Sequence, residues 1–332
     1  MPSKEVALFR FLPSFMGHLL MRLLRHVQSY RRASHKLATS HAIYSGKLAL
    51  PERMPKTAWD CHMHVTSPDY PLAQTAAYVP SLHNLQHAMK FEETIGISRI
   101  VLVQPSIYGD DNSCLLDALS AIGPNNGRGV VGIDPDSIEF STLQKWHKLG
   151  VRGVRLNLKS TNIQLTEEAF QDLLQRYANI IKPLDWVLEL FIGMKDIPML
   201  ERTATRLGVR MVIAHFGAPE IPHMDKRTYP LDPYELTGFQ SLVNLLQKGN
   251  TWIKFSAAYR FDQDPEMRGI EAVAREVLHK AGDRVVFASD WPHTRYEGLD
   301  VRPFVDRCLE WTEQLGVTER VFCSNAEKLW DI

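Results

Sequence analysis

Eight short apolar, β-branched runs recur between residues 58 and 289, and a helix-like stretch follows almost every one. The runs are Ala58–Val65, Arg99–Gln104, Val130–Ile133, Gly153–Leu158, Trp186–Phe191, Arg210–His215, Trp252–Ser256 and Val285–Ser289. The helical stretches between them are Leu82–Thr94, Cys114–Ala121, Phe140–Leu149, Glu167–Ile180, Met199–Leu207, Tyr234–Gln247 and Pro265–Lys280. A further helix spans about Val301 to Leu315, and a short one lies near Asn325–Trp330. Strand and helix in alternation are the signature of βα units on a parallel sheet. Gly96, Gly150 and Gly208 each stand between a helix and the next strand, where a left-handed cap is needed. Eight units in this length predict an α/β chain folded as a single (β/α)8 TIM barrel over residues 55–332. The competing layout, an open doubly wound sheet, lacks a GxGxxG after its first strand.

Charge and cysteine content narrow the function classes. The chain carries 38 basic and 38 acidic side chains, so no global field draws it to nucleic acid or an anionic membrane. Cys61, Cys114, Cys308 and Cys323 form no CxxC pair and read as core fillers in a reducing compartment. No run of 18 apolar residues suggests a membrane span. Residues 1–54 differ from the rest: the first fifty hold eight basic residues against Glu5 alone. Apolar positions through Phe9, Phe11, Leu12, Leu19, Leu20, Leu23 and Leu24 suit an amphipathic helix. This basic extension reads as an organellar transit peptide, as a helix docking on the barrel or a lipid surface, or as a disordered tail. The expected location is intracellular, cytoplasmic or mitochondrial, with any membrane contact confined to the N-terminus.

Three stretches carry chemistry. In Trp59-Asp60-Cys61-His62-Met63-His64-Val65, the alternation of a strand places Asp60, His62 and His64 on one face and Cys61 and Met63 on the other. Two imidazoles at that spacing can ligate one metal or polarise one carbonyl. In Met211-Val212-Ile213-Ala214-His215-Phe216-Gly217, a histidine ends the sixth run as a glycine opens a loop. In Val285-Val286-Phe287-Ala288-Ser289-Asp290-Trp291-Pro292-His293, Asp290 ends the eighth run before a proline turn. At the C-terminal ends of barrel strands these residues face one rim, where barrel active sites form.

His-x-His on strand one, His on strand six and Asp on strand eight resemble the residue set of the amidohydrolase superfamily. More closely, the chain resembles the amidohydrolase-related branch that contains 2-pyrone-4,6-dicarboxylate lactonase. The resemblance runs from about Pro55 to Ile332 and leaves the extension out. It rests on Asp60–Val65, Val101–Ser106 with Gly109–Asn112, Gly150–Arg155, Ala214–Gly217 and Ser289–Thr294, the last being the most distinctive. It implies a hydrolase that adds water to a carbonyl of a lactone or carboxylic ester. Asp290 would be the general base, with His62, His64 and His215 gathered on the carbonyl oxygen or on a metal. The implied cofactor is none, as in the lactonase, or one divalent ion, zinc by donor type, held by His62, His64, His215 and Asp290. A lysine bridge of binuclear members has a weak counterpart in Lys159.

The partner expected is a small anionic molecule. Arg155 and Arg260 are placed to grip a carboxylate through paired hydrogen bonds. Tyr108, Asn112, Tyr259 and His293 are candidate loop contacts, and Trp291 packs beneath. The lactonase pattern has a second arginine where this chain reads Lys159-Ser160-Thr161-Asn162, and a tyrosine where it has Phe191. A substrate with one carboxylate therefore fits better than a dicarboxylate. Two other readings stay open: a zinc-dependent decarboxylase of the same fold, and a barrel that binds a ligand without chemistry.

Overall fold

The eight apolar runs form eight strands that pair in parallel, each with its neighbour in sequence. A computed structural model describes residues 48–160, 163–223 and 230–331. Expectations about residues 1–47 of the extension, from its amphipathic helix to its targeting, lie outside the described residues. Its last residues, 48–54, are described, with a short helix at Leu50–Arg53, Arg53 bonded to Glu313 of the barrel and Met54 buried. The strands are β1 Trp59–Met63, β2 Arg99–Val103, β3 Gly127–Val131, β4 Val151–Asn157, β5 Val187–Phe191, β6 Met211–Ile213, β7 Thr251–Phe255 and β8 Val285–Phe287. The helices that follow them are α1 Leu85–Ile95, α2 Ser113–Ile122, α3 Phe140–Leu149, α4 Glu167–Ile181, α5 Ile197–Leu207, α6 Phe239–Gln247, α7 Arg268–Ala281 and α8 Arg302–Gln314, with a terminal α9 at Asn325–Trp330. The ring closes between β8 and β1. The amide of His64 donates to the carbonyl of Trp291 at 2.8 Å, and the amide of Asp290 donates to the carbonyl of His62 at 3.0 Å. The (β/α)8 barrel read from the sequence is the fold observed.

Alternation along the strands divides the core into two layers. Val101, Val103, Val130, Val187, Val212, Trp252 and Val286 point inward and fill the barrel. Ile100, Leu102, Leu188, Leu190, Ile213, Ile253, Phe255 and Phe287 point outward against the helices. Each fully buried aliphatic side chain contributes about 1.5–3 kcal/mol relative to exposure. The floor of the barrel is made by α9, whose Ala326, Leu329 and Trp330 join the inward layer. Arginines at the strand starts hold it there. Arg210 donates to the carbonyls of Lys328 and Leu329 at 2.8 and 2.9 Å, Arg128 donates to those of Trp330 and Asp331, and Arg152 lies 3.6 Å from the Asp331 carboxylate. The last carbonyls of a helix have no intrahelical donors and carry partial negative charge, so guanidinium groups suit them.

Element ends shift where local chemistry overrides hydrophobic pattern. β3 starts at Gly127 rather than Val130, because Gly-Arg-Gly carries no apolar signal yet lets Leu119 and Leu115 of α2 approach the backbone. The helix expected over Tyr234–Gln247 is a 3-10 turn at Pro233–Glu235 and then α6, split at Gly238. There φ is +93°, and a Cβ would lie 1.9 Å from the carbonyl oxygen of Met194, so only glycine passes.

Candidate active site

The strand-end residues meet at the C-terminal rim, and β1 reaches it through an irregularity. Its register against β2 slips between Asp60 and Met63. A bulge of this kind breaks two-residue alternation. Cys61 keeps the alternation from Trp59 and lies in the barrel interior, and the slip after it lets His62 face inward as well. Asp60 accepts hydrogen bonds at 3.0 Å from the amides of His62 and Ser289, fastening β1 to the end of β8. The expectation that Asp60 shares the face of His62 and His64, with Cys61 opposite, is thus corrected. Both histidines still reach one pocket, their rings 4.9 Å apart.

The ends of β6, β7 and β8 are held in left-handed backbone. His215, Phe216, Gly217 and Ala218 all have positive φ, as do Ala257, Asp290 and His293. Each non-glycine residue of this kind costs of order 1–3 kcal/mol, and such outliers cluster at functional sites. Ser256 hydrogen-bonds His215 Nδ1 at 2.7 Å. His64 Nδ1 donates to the carbonyl of Val103, also at 2.7 Å.

Asp290 stands at the centre. The Nε2 atoms of His62, His64 and His215 lie 3.7, 3.9 and 3.7 Å from its Oδ1. Its Oδ2 accepts from the Tyr259 hydroxyl at 2.6 Å and from Arg260 Nε at 3.1 Å. One oxygen is therefore anchored and the other faces three imidazoles. Burial is the largest single influence and works against the carboxylate, but the Arg260 guanidinium and the three surrounding imidazoles together hold Asp290 well below the usual carboxylate range. Burial also lowers the imidazoles: His62 falls well below its ordinary value, His64 to about 4, His215 to about 3 and His293 to about 4. At neutral pH the pocket holds an ionised Asp290 among uncharged histidines.

Beneath this cluster lies a buried ionic pair that sequence reasoning missed. Glu189 of β5 and Lys254 of β7 are both fully buried and bonded to each other. Lys254 Nζ is 3.2 Å from His62 Nδ1, and Arg155 Nε is 3.9 Å from Glu189. The available signal was a charge in mid-strand, in Leu188-Glu189-Leu190 and Ile253-Lys254-Phe255. Arg155 projects inward from within β4, donating to the carbonyl of Gln104 at 2.8 Å with its guanidinium carbon 6.0 Å from the centroid of the Phe191 ring. Counting charges around the pocket, Arg155, Lys254 and Arg260 face Glu189 and Asp290, which leaves one positive charge in excess.

His293 and Tyr259 reach the rim as expected, their rings 5.8 Å apart. Two other sequence candidates do not join the cluster. The Tyr108 hydroxyl bonds the backbone of Ser67, and Asn112 staples the backbone of Gly132 and Asp110, so both spend their polar groups on loop structure. Lys159 lines a separate cavity of about 130 Å³ with Ile163, Gly193 and Asp196. Trp291 packs against His83 and Phe91, as a supporting residue should.

The donor set fits one divalent ion. His62, His64 and Asp290 bring ligand atoms within 4.8 Å of one another, and His215 points at the same oxygen. With its Nδ1 proton spent on a carbonyl, neutral His64 presents a lone pair at Nε2. Three imidazoles and a carboxylate suit zinc, and a single ion is compatible with the site.

Comparison with known proteins bears on the family and the fold. The model of a family described as Amidohydrolase matches residues 59–332. A 4-sulfomuconolactone hydrolase of Hydrogenophaga intermedia is 31% identical over 288 residues, covering 83% of this chain and 89% of that protein. A 2-pyrone-4,6-dicarboxylate hydrolase of Comamonas testosteroni is 29% identical over 252 residues, covering 73% and 78%. A solved structure from Pseudomonas putida, assigned as a 2-pyrone-4,6-dicarboxylic acid hydrolase, is 32% identical with a TM-score of 0.66 and covers 84% of this chain and 98% of its own.

Proposed function

Because this chain belongs to the amidohydrolase family, we propose that it hydrolyses the ring ester of a small lactone bearing one negative charge. The observation that carries the reading is the convergence of three neutral imidazoles on the single free oxygen of Asp290, in a buried pocket with one cation in excess. Relatives named for two lactone substrates, both acidic, support the substrate class. The shortage of a second strand-four arginine and the presence of Phe191 favour one anionic group over two.

In the proposed mechanism a water lies between Asp290 Oδ1 and His64 Nε2, two acceptors 3.9 Å apart that call for a donor between them. Asp290 takes a proton from that water as its oxygen attacks the lactone carbonyl. The carbonyl oxygen gathers negative charge, which an imidazole N–H directed into the pocket stabilises in a site with little water to compete. Collapse of the tetrahedral species breaks the ring C–O bond, and Asp290 returns its proton to the leaving oxygen. Tyr259 and Arg260 hold Oδ2 so that Oδ1 keeps this aim. Arg155 and Arg260 supply the field that retains the substrate anion. A divalent ion held by His62, His64, His215 and Asp290 would supply Lewis-acid polarisation of the carbonyl or of water.

The test is a hydrolysis screen of γ- and δ-lactones with no, one or two carboxylates or sulfonates, run beside metal analysis of the purified protein. Ring opening with preference for the monoanions is expected. Failure to open any lactone overturns the reading, and carbon dioxide release would point to a decarboxylase.

A further inference from the structure

Three imidazoles surround Asp290, and their outer nitrogens have different partners. His64 Nδ1 faces a carbonyl, which can only accept, so its proton sits on Nδ1. His215 Nδ1 faces a hydroxyl, which can donate or accept. His62 Nδ1 has two charged neighbours of opposite sign at the same distance. Glu189 Oε1 lies 3.2 Å away and Lys254 Nζ 3.2 Å away.

Direction separates the two. Lys254 Nζ is hydrogen-bonded to His62 Nδ1. Glu189 Oε1, despite its distance, accepts no hydrogen bond from any described residue, and the carboxylate instead meets Lys254 through Oε2. An ammonium has three donors and no acceptor. A ring nitrogen that receives its N–H must offer a lone pair, so the single proton of neutral His62 moves to Nε2. That atom is buried, points into the pocket 3.7 Å from Asp290 Oδ1, and has no hydrogen-bond partner among the described residues.

We propose that Lys254, held in place by Glu189, is a positioning residue that fixes His62 as an Nε2–H hydrogen-bond donor to the substrate carbonyl rather than as a metal ligand. The usual partner of a ligating histidine is an acceptor on its outer nitrogen, which leaves the inner one bare for the metal. Here the outer nitrogen is bonded to a donor, while the Glu189 oxygen at the same distance accepts nothing from it. Two histidines two residues apart thereby take opposite tasks. His64 Nε2 accepts from water, and His62 Nε2–H receives the developing oxyanion. A divalent ion entering this pocket must first move the His62 proton, so the protein binds metal more weakly than its donor set suggests. Glu189 holds the lysine, and Trp330, whose ring centroid lies 5.2 Å from Nζ, closes the space below it.

The inference rests on the lactonase reading only for the identity of the oxyanion, because the tautomer itself needs no substrate. The experiment is nitrogen NMR of wild-type protein carrying ¹⁵N-histidine, stripped of metal, with the His62 signal assigned by its loss in His62→Asn. Expected is a protonated Nε2 and a bare Nδ1; a protonated Nδ1 overturns the proposal. A second arm titrates zinc alone into wild type and into the charge-neutral double variant Glu189→Gln/Lys254→Met. Zinc should bind the variant at least about tenfold more tightly, within the range that outer partners of ligands exert. Equal or weaker binding by a folded variant overturns the proposal, and if the variant fails to fold, the wild-type spectrum decides. An inactive lactone screen with the expected tautomer would sink the substrate reading and leave the positioning role standing.

Discussion

Asp290 is asked to be both well anchored and reactive, and its two oxygens divide the work. Arg260 and Tyr259 bind Oδ2, and the Arg260 guanidinium helps to hold the pKa of Asp290 well below the usual carboxylate range and so keeps the group ionised. Oδ1 is left to the imidazoles and to water. Asp290→Asn keeps the shape and the backbone bond to His62 but removes the base. Turnover should fall by roughly two to four orders of magnitude, with thermal stability close to wild type. A variant with wild-type turnover in a lactone assay would end the assignment. Arg155 has a different part, since it lies in the pocket wall and its proposed substrate contact exists in ground and transition state alike. Arg155→Met should raise KM for a monoanionic lactone about ten- to a hundred-fold, the equivalent of a charge-assisted bidentate contact of about 1.5–3 kcal/mol. An uncharged lactone should change little. Equal losses on both substrates would mean that Arg155 serves the fold through the carbonyl of Gln104.

At the scale of elements, what could be read from the sequence followed from contrast. His62, His64, His215 and Asp290 are polar residues at the ends of apolar runs, and their strands carry them to one rim. Tyr259, Arg260 and His293 were legible for the same reason. Glu189 and Lys254 were not, because a charge inside a strand looks like an interruption until the barrel shows that the two face each other. Asp60 and Cys61 were assigned to the wrong faces because a bulge is a backbone event that side-chain pattern does not announce. Tyr108 and Asn112 matched a loop motif whose polar groups the loop itself consumes. The floor helix was visible as a short helix, yet its role depends on arginines from three distant strand starts. Deleting residues 325–332 removes Leu329 and Trp330 from the interior and strands those arginines. Buried aromatic truncation alone costs about 3–5 kcal/mol, so the deletion should abolish cooperative unfolding or lower the melting temperature by well over 10 °C. A melt within a few degrees of full length would show that α9 is dispensable.

For the molecule as a whole, the rim sets the response to acid. His64, His215 and His293 titrate at about 4, 3 and 4 in the fold, against about 6.5 unfolded. A lowered histidine contributes stability that is complete above the unfolded value and is lost as pH falls toward the folded one. Between pH 7 and 5 each such group costs about 2 kcal/mol. Buried Asp60 and Glu92, pushed upward by burial, act with the opposite sign over part of this range. Urea unfolding should show stability falling from pH 7 to 5, and His293→Gln should lose about 2 kcal/mol less over that interval than wild type. Parallel pH curves for the two proteins would refute the linkage. The floor of the barrel bears on the order of events during biosynthesis. Residues 325–330 are made after all eight strands, and β8 must emerge before β1 can seal against it. Until then the inward valines and the Glu189–Lys254 pair stay open to water from below, a state that exposes apolar surface and one unsealed strand edge. The barrel interior is therefore sealed late in synthesis, after the rim residues have been made and only when α9 arrives to close the floor.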